Sequence, residues 1–300
     1  MLTIFSIPKA FVGHIGVIQR NALKSWSLLE PRCEIIIFGD EEGIAEAAAE
    51  IGAAHVPEIG RNELGTPRLD WAFSRVQDMA STARTCYVNS DIILTDDLLA
   101  TAAAIRFPDF LMVGERIDIE LSEPLDFSPG WTTQLDEFAR RTGRLHGPTG
   151  MDYFVFPTGA IRDMPPFVVG RAGWDNWMVY RYRLHKLPVI DATKAVSVYH
   201  QTHDYAYHLG TEKGTWNDSE SVANRRIVHD EMTAFHADSA TWTIRETGTP
   251  PVRTIRYLTR WLDTLPAFYY PPTRYPLVRV LVSLHNVIRR AKQRRTSEKA

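Results

Sequence analysis

Only two cysteines occur in the 300 residues, Cys33 and Cys86, and both stand in apolar, strand-like runs. So few cysteines exclude a fold stapled by several disulfides and fit a reducing compartment, where a free thiol behaves as a small hydrophobe. An excess of one charge sign is also missing. The formal net charge of -2 gives no global basic field of the kind nucleic-acid binding requires, so no nucleic-acid partner is expected. No apolar run is long enough to span a bilayer. The opening MLTIFSIPKAF has no basic leading segment and no long apolar stretch. It reads as a first strand rather than a signal peptide, and a cytoplasmic location is expected. Internal repeats, low-complexity segments, a glycine-rich phosphate loop after the first strand and a His-x-x-x-His helix are all lacking.

What is present is enough apolar chain, 44% of residues, for one large domain or two small ones. Short Ile- and Val-rich runs alternate with helical patterns through the first third. Strands are expected at Leu2 to Ile7, Glu34 to Phe38, Ala54 to Pro57 and Thr85 to Leu94. Helices are expected at Gly16 to Leu29, Gly43 to Ile51, Thr66 to Met79 and Leu98 to Ala104. Repeated strand–helix units imply an α/β sheet with helices on both faces, which binds ligands at the carboxyl ends of its strands. The middle third, from Phe107 to the stretch PPFVVGRAGWDNW, is rich in loops and aromatics, and a last strand is expected at Ala195 to Tyr199. After Gly248 a Thr-Pro-Pro step precedes a basic, helix-like tail. The expected division is therefore 1–247 for the α/β domain and 248–300 for a C-terminal helical extension.

Within CYVNSDIIL, residues 86–94, three polar residues interrupt a run that otherwise reads as buried strand. On a continuous strand Asn89 and Asp91 project to one side and Ser90 to the other. An unpaired buried carboxylate is costly, so Asp91 needs a cation, a donor or water. Asp96 and Asp97 read as starts of the next helix. Further on, Asp175 falls in the first turn of a helix running to Leu184, where an acid suits the helix dipole. Trp174 and Trp177 can stack on sugars, although core packing is the commoner fate of Trp. The segment VYHQTHDYAYH supplies His200, His203, Asp204 and His208, ligand types of a transition-metal site. Of these His200, directly after a strand, is the preferred ligand and His203 the second.

This order of elements resembles the nucleotide-sugar-dependent glycosyltransferases of the GT-A fold, family 2 in particular, over roughly residues 1–210. The resemblance implies a GT-A-type, Rossmann-like mixed sheet flanked by helices, with a C-terminal helical extension. Asn89-Ser90-Asp91 stands where the family has a short Asp-x-Asp element that holds a divalent ion on the donor diphosphate. Asn89 replaces the first acid, and Asp91 matches the metal-contacting one. The stretch GRNELGTP places Arg61 and Asn62, Phe38-Gly39-Asp40 places Asp40, and Ile7-Pro8-Lys9 places Pro8, at positions that in the family surround the nucleoside diphosphate. Asp152 in GMDYF matches a sugar-contacting stretch. Asp175 matches the second acid of the pair that deprotonates the acceptor, and His200 a late metal-completing histidine.

By this resemblance the chain is a metal-dependent hexosyl- or related transferase with Mn²⁺ or Mg²⁺ as cofactor. It moves a sugar from a nucleoside diphosphate sugar to a glycan or glycolipid hydroxyl, as in polysaccharide biosynthesis, with inversion at the anomeric carbon. A non-catalytic nucleotide-sugar-binding protein and a metal-dependent hydrolase are the alternatives. The tail from Arg253 to Lys299 interleaves Arg with Leu, Trp and Tyr, so either peripheral association with anionic membrane on the inner face of the cell membrane or packing on the domain is expected.

Overall fold

The computed structural model describes residues 1–121, 123–203, 218–245, 247–270, 274–278, 280, 281 and 283. Asp204 and His208 of the histidine-rich stretch lie outside them, as does the tail beyond 283. The first half runs β1 (Thr3–Ser6), α1 (Gly13–Ser27), β2 (Glu34–Phe38), α2 (Ile44–Ile51), β3 (Ala54–Val56), α3 (Leu69–Met79), β4 (Arg84–Val88), β5 (Ile92–Ile93) and α4 (Asp97–Ala104). It continues with β6 (Leu111–Val113), β7 (Ile117–Ile119), α5 (Trp131–Thr142), β8 (Arg144–Leu145) and β9 (Tyr153–Pro157). The last part has α6 (Trp174–Leu184), β10 (Val189–Asp191), β11 (Tyr199–Gln201), α7 (Ser219–Ile227), two 3₁₀ turns at Asp230–Ala234 and Ala237–Ser239, β12 (Trp242–Thr243) and α8 (Ile255–Phe268).

Eight strands form the main sheet in the order β12-β10-β6-β9-β4-β1-β2-β3. All pair in parallel except β9, which runs antiparallel between β4 and β6. This is the mixed, Rossmann-like α/β sheet expected of a GT-A-type fold, and α8 lies within the residues read as a C-terminal helical extension. Because side chains alternate along a strand, each strand feeds two cores. Phe5, Ile36, Phe38, Tyr87, Phe154 and Phe156 pack with α3 and α6 on one face. Ile4, Ile35, Ile37, Cys86, Val88 and Val155 pack with α1, α2 and α4 on the other.

The expected single strand from Thr85 to Leu94 is broken. β4 ends at Val88 in the main sheet, while β5 belongs to a second sheet of order β5-β11-β7-β8. Asn89, Ser90 and Asp91 are the crossing between the two, so the alternation expected of a continuous strand does not apply. Hydrogen bonds from Ser6 Oγ to Val88 O (2.6 Å) and from Trp26 Nε1 to Ile92 O (2.8 Å) pin both ends of the crossing. The last expected strand, at Ala195 to Tyr199, lies later, at β11. The stretch read as loop-rich holds α5 and β6 to β9. Trp174 and Trp177 are buried in the core: Trp174 meets Tyr87 edge-on at 4.9 Å and lies 5.1 Å from Phe154. Asp96 and Asp97 start α4 as read, Asp96 at the N-cap position and Asp97 as the first residue, but the Asp96 side chain makes no capping bond. Asp96 accepts from the Glu30 N–H and Asp97 from Thr95 and the Ser197 N–H.

Candidate metal and transfer site

Strand register assembles the site. β4 and β9 pair antiparallel with Val88 opposite Tyr153, so the next residues outward, Asn89 and Asp152, face each other at the sheet edge. Asn89 Nδ2 donates to Asp152 Oδ1 at 2.6 Å, and Asn89 N to Asp152 O at 2.9 Å. In the second sheet β11 pairs with β5 at His200 and Ile92, and with β7 at His200 and Asp118. The first pairing carries Gln201 to the Asp91 carbonyl and the second puts Asp118 beside His200.

Asp91, His200 and His203 form one group whose ligand atoms all lie within 4.8 Å of one another. Asp91 Oδ2 lies 3.2 Å from His203 Nε2 and 3.6 Å from His200 Nε2. His200 Nδ1 bonds to Asp118 Oδ1 at 3.0 Å, which leaves Nε2 turned toward Asp91. A carboxylate behind one ring nitrogen is the usual way a ligating imidazole is oriented and made more basic. Burial opposes ionisation of Asp91, but hydrogen bonds from His200 and His203 overcome it and hold the carboxyl far below the usual range. Burial likewise opposes the charged form of His200, yet its bond to Asp91 leaves its pKa raised. Asp91 Oδ1 is buried with no hydrogen-bond partner among the described residues. A carboxylate oxygen left unsatisfied beside two imidazoles fits a divalent transition ion.

A charged network closes the site from behind. Arg116 donates to Asp118 Oδ1 (2.8 Å) and Asp152 Oδ2 (2.9 Å), and His146 Nδ1 lies 2.7 Å from Asp118 Oδ2. One chain of contacts thus leads from Asn89 through Asp152, Arg116, Asp118 and His200 back to Asp91. On the α1 side, Gln19 Oε1 accepts from Lys9 N and Ser90 Oγ, and Gln19 Nε2 donates to Lys9 O. Asn21 donates to Gln201, whose amide in turn donates to Ile18 O and Asp91 O. Asp175 stands in the first turn of α6, behind Gly173 at φ +108°, with its carboxylate held by backbone N–H groups at the start of the helix. Burial pushes its carboxyl up to about 6, against the Asn176 N–H and with the negative charge of Asp152 adding to the rise.

The other residues singled out in the sequence lie apart from this chain of contacts. Pro8 is buried beside Lys9. Asp40 pairs with Arg61, which also holds Glu41 at 2.8 Å and donates to Gly65 O at 2.7 Å. Asn62 accepts from Leu64 N and Thr66 N, a turn-forming role, and donates to Glu220 at 2.7 Å. Glu220 is also held by Arg171 at 2.6 Å, and the loop and α7 line a surface cavity of about 450 Å³. Burial lowers the Lys9 pKa, with the charge of Asp91 opposing that shift and the charge of Arg171 adding to it. Reading the sequence missed Gln19, Asn21, Arg116, Asp118, His146 and Gln201. Arg116-Ile117-Asp118, charged residues flanking the start of a short apolar strand, is the one local signal that pointed to any of them.

No family model matches the chain, and no curated protein matches it. Among solved structures it is similar to Staphylococcus aureus TarS 1–349 in complex with UDP-GlcNAc, at 10% identity and TM-score 0.46, over 89% of this chain and 80% of that one. It is similar to a candidate nucleotide-diphospho-sugar transferase of Desulfovibrio desulfuricans G20, at 12% and 0.43, over 77% and 96%. A third is glucosyl-3-phosphoglycerate synthase of Mycobacterium tuberculosis with Mg²⁺ and UDP, at 12% and 0.39, over 69% and 73%. At identities this low, the chemistry is read from the chain's own residues.

Proposed function

We propose that the chain transfers a sugar from a nucleoside diphosphate sugar to an acceptor hydroxyl. The observation that carries this reading is the Asp91, His200 and His203 group, tied to Asp152 through Arg116 and Asp118, with Asp175 at the start of α6 close enough to feel the charge of Asp152. Asp91, His200 and His203 would hold a divalent ion, and two imidazoles favour Mn²⁺ over Mg²⁺. When bound, that ion neutralises charge developing on the departing diphosphate. Asp152, fixed on both oxygens by Asn89 and Arg116, is a rigid acceptor for sugar hydroxyls. Asp175 takes the proton of the attacking hydroxyl: a carboxyl lifted to about 6 is ionised at neutral pH and more basic than an exposed one. A base on the acceptor side, opposite the departing group, suits a single displacement with inversion.

Turnover with a panel of nucleotide sugars, with and without Mn²⁺, tests the reading. A binding module consumes nothing, and a hydrolase consumes donor without any acceptor. Asp175→Asn should lower kcat by about 10²–10⁴-fold with donor affinity unchanged. In the native protein the rate should rise with pH through about 6, because the base must be ionised. Full activity of the Asn variant at saturating acceptor would remove Asp175 from the role.

A further inference from the structure

The amphipathic helix α8 is mounted with its polar side inward over its first two turns. Arg256 and Arg260 reach back to Asp238, at 3.5 and 2.8 Å, and Arg260 also bonds Ala234 O. Later turns dock through Leu265, Ala267 and Phe268, the last meeting Phe235 at 5.4 Å and stacking over Tyr180. At 100° per residue, Ile255, Leu258 and Trp261 fall within an arc of about 120° on the side away from Arg260. Over the first two turns that side is in solvent, Ile255 being 81% exposed, Leu258 56% and Trp261 39%, before the helix turns it inward at Leu265. The chain beyond the helix continues the pattern, with Leu277 80% and Val280 64% exposed. A set of exposed large apolar side chains on one element marks an interaction surface.

Charge says what covers it. Residues 253–300 carry eleven Lys and Arg against Asp263 and Glu298, while residues 1–252 carry 23 basic against 34 acidic side chains. The helix therefore opens the most basic stretch of an otherwise acidic sequence, and Arg253 and Arg274 are exposed. Tyr269, Tyr270 and Tyr275 are exposed beside it, and an aromatic ring with a polar tip suits the headgroup level of a bilayer. Self-association through this face would set two such basic segments against each other, which like-charge repulsion opposes. We infer that the outer face of the first turns of α8, helped by the basic sequence that follows the helix, binds the surface of an anionic phospholipid bilayer. The Arg side chains meet lipid phosphates and the Ile255, Leu258 and Trp261 side chains enter the acyl boundary. This inference is independent of the reading of the metal site.

Co-sedimentation of the full chain with vesicles tests it, comparing neutral phosphatidylcholine with a phosphatidylcholine–phosphatidylglycerol mixture. Binding to the anionic vesicles alone, weakened by high salt, is expected. The triple variant Ile255→Asn, Leu258→Asn, Trp261→Asn should lose about tenfold or more in vesicle affinity. Arg253→Glu with Arg274→Glu should lose a comparable factor while keeping the apolar arc. Because all five side chains are exposed, unchanged circular dichroism and melting temperature will show that both variants fold. Absence of vesicle binding, equal binding to neutral vesicles, or full binding by either variant would overturn the inference. A wild-type dimer that the triple variant dissociates, with no vesicle binding, would assign the face to a second copy instead.

Discussion

Asn89 explains itself through its partner. Its amide nitrogen lies 2.6 Å from Asp152 Oδ1, so an acid in its place would set two carboxylates against each other. Asn89→Asp should therefore destabilise the protein at neutral pH by about 1–3 kcal/mol, with the loss recovered as pH falls and the pair takes up a proton. Melting curves between neutral and acidic pH check this. Asp118 touches His200 on the nitrogen away from Asp91, and Asp118→Asn should cost about 10–100-fold in Mn²⁺ affinity with the fold intact. Calorimetric titration reads it, and Asp91→Asn should abolish the same signal. Asp175 has a stability consequence as well as a catalytic one. Its carboxyl ionises near 6 in the folded chain and near 3.8 in the unfolded one, so the folded state holds more protons between those values. Stability therefore falls as pH rises from about 4 to 6, and the full penalty stands above 6. Asp175→Asn should raise the melting temperature above pH 6, by up to about 3 kcal/mol of stability, and leave it unchanged below pH 4. A variant less stable at every pH would make the residue a structural one.

At the scale of elements, the site exists because β4 stops. Continuing that strand through Asp91 would have kept the carboxylate in the main sheet. Crossing to β5 instead places it beside β11, where His200 and Asp118 are neighbours by register. The start of α6 depends on a glycine for a similar reason. Gly173 sits at φ +108°, where an L side chain is strained, and it sets the turn that presents Asp175. Gly173→Ala should cost about 1–3 kcal/mol in stability and lower turnover. Mn²⁺ affinity should be unaffected, because none of the proposed ligands lies on α6. A urea titration beside a metal titration separates the two effects.

Across the whole molecule, the metal ligands join segments distant in the chain: Asp91 lies at the crossing between the two sheets and His200 on β11. Occupancy should therefore stabilise the folded state globally, by about 2.7 kcal/mol at a hundredfold excess over Kd, which a thermal shift of a few degrees would report. His203→Ala should lose most of that shift while melting near the wild-type temperature without metal. Among the described residues, Phe268 of α8 packs against Phe235 and Tyr180.

The sequence by itself determined the local and the repetitive features. Period-two and helical patterns placed β1 to β3, the start of β4 and α1 to α4 within a few residues, because their apolar positions face cores that recur along the chain. Asp91, Asp175, His200 and His203 stood out because acids and imidazoles beside apolar runs demand partners. Only the tertiary structure decided which partners those are. Asn89 with Asp152, Asp118 with His200 and Asn62 with Glu220 are separated by 63, 82 and 158 residues, and register between strands or docking of loops brings them together. Nor could the sequence tell which side of α8 faces inward: that was set by Asp238 and Ala234, which hold Arg256 and Arg260 against the body and leave Ile255, Leu258 and Trp261 outside. An amphipathic pattern fixes that a helix has two faces, and only its neighbours fix which of them meets water.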